Sequence, residues 1–281
     1  MDNDETVNNS DRMQPYDGGK IMKEKDLLLV QIEEDICTLV INRPEKRNVV
    51  NPEILSRIGE TLREISEDGQ IRVVVLRGAG EKAFSAGYDI PRLYKSEDFG
   101  IDDPVEDAMS SIESCAVPVI AMIHGYCIGA SCGLAIACDL RLAADSVRMG
   151  ITVAKLGVVF PPSSTMRLIN IVGVSAAKEL LYTGRLVDAE KAREIRMVDQ
   201  VVPSKDLFAV TYDLAREVAD NSPQSVRSTK RIISKLLASQ ALSPQVREEF
   251  LVMRKQIVDS DDFKEGQKAF AEKRQPRFRG K

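Results

Sequence analysis

Two short glycine-bearing stretches carry residue types that could do chemistry through the backbone: Ser85, Ala86, Gly87, Tyr88 and Ile128, Gly129, Ala130. Each follows an apolar run that reads as a buried strand. The second passes into Ser131, Cys132 and Gly133, which open an apolar helix. A strand that ends in glycine and enters a helix presents backbone N–H groups at the positive end of the helix dipole. If the two strands are neighbours, N–H groups from both turns can aim at one carbonyl oxygen and hold the charge that develops on it. Other chemistries lack their parts. GxxxxGK[ST] is absent, residues 78–85 (GAGEKAFS) miss the GxGxxG dinucleotide spacing, no GxSxG occurs, and His124 is the only histidine. His124 ends an apolar strand and reads as a structural, hydrogen-bonded imidazole.

The elements that must position these turns follow from the pattern. Residues 71–77 (IRVVVLR) are too uniformly β-branched for a surface helix and read as a strand buried on both faces, as do 117–123. Upstream, two β-like runs from Leu27 flank a tight turn at Glu34 and Asp35, which predicts a hairpin. Pro44 stops the second run. A polar, basic connection then leads to a helix whose cap is Asn51, whose first turn holds Pro52, and whose apolar face is Ile54, Leu55, Ile58, Leu62 and Ile65. Residues 94–104 are charged and aperiodic and read as a substrate-covering segment, with Tyr94 helping to shape the pocket. A short helix follows at 105–114, then short strands at 140–144 and 147–150. The run 156–162 (LGVVFPP) reads as an apolar loop kept from helix by Pro161 and Pro162. Beyond Ser163 almost everything is helical, with starts near Ser175, Asp188, Ser204, Ser222 and Ser243.

The chain has 281 residues, 43% hydrophobic and 29% charged, with a net charge of −4. That is ample chain for a core, and it gives no general drive towards nucleic acid or anionic membrane. The only basic stripe, 227–235 (RSTKRIISK), makes RNA a poor partner. No stretch reaches the about 20 apolar residues that span a bilayer. The cysteines (37, 115, 127, 132, 138) lie mostly in apolar segments without CxxC or metal-ligand spacing, which predicts reduced, buried thiols in a cytoplasmic protein and no metal site. The start, residues 1–25, lacks the basic and apolar regions of a signal peptide and reads as a flexible polar tail.

Four segments in order, INRPEKRNVVN, RVVVLRGAGEKAFSAGYDI, PVIAMIHGYCIGASCGLAIACDLRLAAD and DFKEGQKAFAEKRQPRFRGK, resemble the crotonase superfamily, the enoyl-CoA hydratase/isomerase family. The resemblance implies an α/β fold: a ββα spiral core over 26–200 and a C-terminal helical region over 201–281 that serves trimerisation and CoA contact. It implies an acyl-CoA thioester as substrate, no permanently bound cofactor, since coenzyme A is part of the substrate, and a homotrimer or a hexamer built as a dimer of trimers. The thioester oxygen would be held by the N–H groups of Tyr88 and Ala130, the two catalytic positions. Coenzyme A would lie along Lys46, Arg47, Ala86, Gly87, Asp89 and Ile90, with Lys82 near its phosphates and Phe270 and Lys273 at its adenine end. Gly129, Gly133, Val153 and Phe160 would border the acyl group.

The same resemblance exposes a gap. A hydratase's two glutamates would fall at Gly133 and Val153, and the isomerases' carboxylate at Val153 or near Phe160, so every usual proton-moving slot is apolar. Decarboxylation of a malonyl-type CoA needs no base, because loss of CO2 itself makes the enolate. The related decarboxylases resemble this chain in the 156–160 loop, although Phe160 stands where their tyrosine would act. Hydration or isomerisation would require a relocated base among Asp89, Glu106, Asp107 and Glu113, of which Asp89 reads rather as a cap. A non-catalytic CoA-binding scaffold or an RNA-binding relative is the reading of another class.

Overall fold

The computed structural model describes residues 27–90, 103–238 and 243–280. The tail expected at 1–25 lies outside them, as do Tyr94 and the covering segment up to residue 102. The predicted hairpin is β1 (Leu28–Glu33) and β2 (Ile36–Ile41), in register from Leu28 with Ile41 to Glu33 with Ile36. Glu34 makes the turn at φ 55°. From β2 onward the sheet is parallel: β3 (Val73–Gly78), β5 (Val119–Ile123), β7 (Leu140–Ala144) and β9 (Gln200–Val202) complete the order β1-β2-β3-β5-β7-β9. A second parallel sheet, β4-β6-β8, consists of three-residue strands, Ala83–Ser85, Tyr126–Ile128 and Arg148–Gly150. Three times the chain leaves a long strand, turns a corner and lays down a short one: β3 to β4, β5 to β6, β7 to β8. Gly125 shows why one corner needs glycine. Its φ is +55°, and a Cβ there would sit 2.1 Å from the Lys82 carbonyl oxygen.

Helices fill the steps. Helix α1 (Pro52–Glu67) starts as expected, with the Asn51 side chain accepting from the Ile54 N–H at 2.9 Å, and its five predicted apolar residues are buried. Helix α2 is Pro104–Ser114, α3 Ala130–Ala137 and α4 Pro162–Thr183. Helix α4 corrects the expected loop end: Pro162 is its first residue, where a missing N–H costs nothing. A break at Gly173 (φ 76°, ψ 163°) falls just before the start expected at Ser175. Asp188 caps α5 (Ala189–Glu194) through the Lys191 N–H. Then come α6 (Leu207–Ala219), α7 (Pro223–Ala238), α8 (Pro244–Val258) and α9 (Asp261–Ala271).

The β-branched run of β3 is buried on both faces because two cores use it. Val74 and Leu76 join the main core with α1 and α2, while Val73 and Val75 pack with Leu207, Tyr212 and Ala215 of α6. The boundary drawn at residue 200 thus falls at the start of β9, and α6, beyond it, covers the six-stranded sheet. All five cysteines are free and buried. Among the described residues no helix is long and apolar enough to cross a membrane.

Candidate active site

Strands β4 and β6 are parallel neighbours, with Ala83 opposite Tyr126 and Ser85 opposite Cys127. Both glycine turns therefore leave the same end of one small sheet. They touch: a Cβ on Gly87, whose φ is +100°, would lie 2.6 Å from the Ile128 carbonyl oxygen and 3.9 Å from the Ala130 nitrogen. Ser131 staples them, its Oγ donating to the Ser85 carbonyl at 2.7 Å and accepting from the Ile128 N–H at 3.0 Å. From behind, Val50 N–H donates to the Gly87 carbonyl and Asp89 N–H to the Val50 carbonyl, both at 2.8 Å, which fixes Tyr88 between them. Gly129 turns at φ 62°, ψ −122°, and donates to the Gly150 carbonyl at 2.8 Å. Ala130 is then the first residue of α3, whose N-terminus has no side-chain cap. Its N–H belongs to the first turn, at the positive end of the helix.

Both turns line a cavity of about 420 Å³. Of the expected site residues, Ala86, Gly87, Tyr88, Ile90, Gly129, Ala130, Val153 and Phe160 line it. Lys46, Arg47, Lys82, Asp89, Gly133, Phe270 and Lys273 do not. Lys46, Arg47 and Lys82 are exposed, with the Arg47 guanidinium 5.4 Å from the ring centre of Tyr126. Asp89, expected as a cap, directly precedes the helical Ile90 and pairs with Arg43 at 3.2 Å. Phe270 of α9 and Lys273 just beyond it are exposed, and α9 packs behind the cavity-lining Leu156: Gly266 lies flat against the Leu156 carbonyl, where a Cβ would approach to 2.2 Å.

Gly133 sits behind the wall. A Cβ there would meet Met109 Cε at 2.6 Å and Sδ at 3.1 Å, with Phe160 Cζ at 3.5 Å. The slot expected to lack a glutamate is filled by a thioether and a phenyl ring. Val153 begins a 3-10 turn, Val153–Leu156, and adds another apolar surface. Among the described residues the cavity's charged lining groups are Asp103, Asp107 and Arg254.

Of the four candidate bases, only Asp107 lines this cavity. Glu106 and Glu113 face a second cavity of about 760 Å³ and are held by Arg167, whose Nη1 lies 2.8 Å from Glu106 and whose Nε lies 2.7 Å from Glu113. Burial pushes the Glu106 pKa up, but the Arg167 charge and bonds from Ser163, Ser164 and Arg167 outweigh it and leave the carboxyl below its ordinary value. That suits an ion-pair partner better than a base. His124 is half-buried and neutral: desolvation and then the Arg77 charge lower its pKa to about 4, against the raising effect of the Gly80 and Ala83 carbonyls. Its Nε2 has no partner among the described residues, so the expected bonded imidazole is bonded on one side at most. In the basic stripe of α7, Lys230 is buried on Asp139 and the Ile112 and Val117 carbonyls, and Arg227 bonds the Ile71 carbonyl.

Met109 and Arg254 escaped the sequence, while Asp103 lies in the segment expected at 94–104 to cover the substrate. Asp103 before Pro104 carries a readable cap signal, and its side chain accepts from the Val105 N–H at 3.0 Å. Met109 and Arg254 carry none, because their roles depend on partners distant in the chain.

The family model described as enoyl-CoA hydratase/isomerase matches residues 31–281. The mouse mitochondrial enoyl-CoA hydratase domain-containing protein 2 is 33% identical over 255 residues, 88% of this chain and 86% of that one. An enoyl-CoA hydratase of Bacillus anthracis superposes with a TM-score of 0.69 at 32% identity, covering 91% of this chain and all of that one. A methylmalonyl-CoA decarboxylase in complex with 2-nitronate-propionyl-CoA superposes with a TM-score of 0.85 at 26% identity, covering 91% and 99%.

Proposed function

The chain belongs to the enoyl-CoA hydratase/isomerase family and has its crotonase fold, and on that premise we propose that it removes CO2 from a malonyl-type CoA thioester. The observation that carries this reading is Met109 against Gly133: a thioether, with its methyl 2.6 Å from where a Cβ would sit, occupies the slot where the cavity meets α3, and no titratable side chain does. In the proposed reaction the bond from Cα to the carboxylate breaks, CO2 leaves, and the electron pair moves onto the thioester oxygen as an enolate. Tyr88 and Ala130 donate their backbone N–H groups to that oxygen, which carries more charge than the starting carbonyl and so gains more from fixed donors. A proton from water then reaches Cα and gives the shortened acyl-CoA. An apolar surround disfavours the solvated carboxylate relative to neutral CO2. The likeness to methylmalonyl-CoA decarboxylase supports the reading.

Coenzyme A enters as part of the thioester, with no resident cofactor in the scheme. Its phosphates would meet Lys46, Arg47 and Lys82 outside the cavity mouth, with Phe270 and Lys273 towards the adenine. A homotrimer, alone or paired, accords with the exposed Ile232, Ile233 and Leu236 of α7 and Leu251 and Val252 of α8. The cytoplasm accords with five free thiols. A second reading, hydration or isomerisation, rests on Asp107, the one candidate base on the cavity. Carboxyl-labelled methylmalonyl-CoA separates the two. Protein-dependent release of labelled CO2 supports decarboxylation, and hydration of crotonyl-CoA without such release overturns it.

A further inference from the structure

We infer that the acyl cavity takes a chain whose far end carries a neutral group that both donates and accepts hydrogen bonds, a hydroxyl or a carboxamide, read by Arg254 and Asp103. This rests on reading the cavity as the seat of a CoA thioester's acyl group. The two cavities share Asp103, Asp107, Pro161 and Arg254, and neither glycine turn lines the second. The shared residues are thus the partition on the side away from the thioester. At its centre Arg254 Nη2 of α8 meets Asp103 Oδ2 at 2.6 Å, with side chains only 8% and 17% exposed. Apolar side chains would close a pocket for a plain alkyl chain at lower cost, since a desolvated ion pair gains little over hydrophobic packing. Placed polar groups in an apolar pocket act on orientation and selection.

The charges at the partition choose the ligand. Among the described residues of the partition the carboxylates Asp103 and Asp107 outnumber the guanidinium of Arg254, so a distal carboxylate is repelled and would have to compete with Asp103 for Arg254. An alkyl end covers the pair and returns no hydrogen bond. A hydroxyl donates to Asp103 while accepting from Arg254, which compensates the desolvation on both sides.

Calorimetric titration of the full chain with hexanoyl-CoA, ω-hydroxyhexanoyl-CoA and adipyl-CoA tests this, because none of the three carries an α-carboxylate to lose. The hydroxylated thioester is expected to bind about tenfold more tightly than hexanoyl-CoA, and adipyl-CoA more weakly than either. The double variant Asp103→Asn, Arg254→Met keeps an acceptor at the α2 cap and is expected to bind the hydroxylated and plain chains equally. Equal binding of all three thioesters by the unaltered protein overturns the inference and leaves the CoA reading standing. So does a hydroxyl preference that survives in the variant. If none of the three binds, nor butyryl-CoA, the CoA reading falls and takes the inference with it.

Discussion

Met109 Cε would lie 2.6 Å from a Cβ on Gly133, with Phe160 Cζ 3.5 Å from the same point. Met109 is fully buried and is touched from behind by Ser164 Oγ at 3.4 Å. The missing side chain at 133 and the thioether at 109 are one packing decision.

Gly133→Ala is therefore expected to destabilise the fold by only about 1 kcal/mol, because the atoms it meets are the flexible end of Met109, which can shift. Met109→Ala alone costs about 2–5 kcal/mol as a cavity. In the double variant the two losses are expected to fall short of their sum, because each relieves the other. Urea denaturation of the four proteins measures this coupling, and strict additivity would show that the two positions do not share the space.

Glu106→Gln and Asp107→Asn are expected to change kcat for CO2 release by less than tenfold. Removing a general base costs about 10²–10⁴-fold. Glu106 is tied to Arg167, Ser163 and Ser164 and faces the other cavity, and loss of CO2 needs no base. A collapse of kcat in Asp107→Asn would identify a relocated base and favour the hydratase or isomerase reading.

His124 makes stability depend on pH. Its folded pKa, about 4, is depressed from its ordinary value of 6.5, so the unfolded chain binds the proton more readily between those values. The contribution is fully present above pH 6.5 and is lost as pH falls towards 4, by up to about 3 kcal/mol. His124→Gln is expected to flatten the melting temperature against pH in that window. Glu106, also depressed, loses its contribution only below its ordinary 4.5. An unchanged slope in His124→Gln would assign the window to other groups.

Much of this was legible from residue order alone. Asn51 before Pro52, the β-branched run of β3 and the paired glycine turns each announce a local structure that tertiary packing then keeps. Of the second sheet only β8 was legible, as the short strand expected at 147–150. Strands of three residues, such as Tyr126–Ile128, are too short to show a period of two, and their pairing comes from corners like Gly125. Strand β9 escaped for the same reason. In the site, the empty glutamate slots could be read from Gly133 and Val153, but their filling could not. Met109 is one apolar residue on a helix face, and its meeting with Gly133 depends on how α2 packs against α3. Arg254 comes from still further along the chain, 151 residues beyond the Asp103 it pairs with.

In the proposed reaction backbone donors hold the enolate left by CO2. Ala130→Pro tests this most directly, because position 130 is the first residue of α3, where proline is well tolerated, and the change replaces the N–H with the ring Cδ. CO2 release from methylmalonyl-CoA should fall by about 10²–10³-fold, while helical circular dichroism and propionyl-CoA affinity stay near those of the unaltered protein. Undiminished release from the folded variant would contradict the claim.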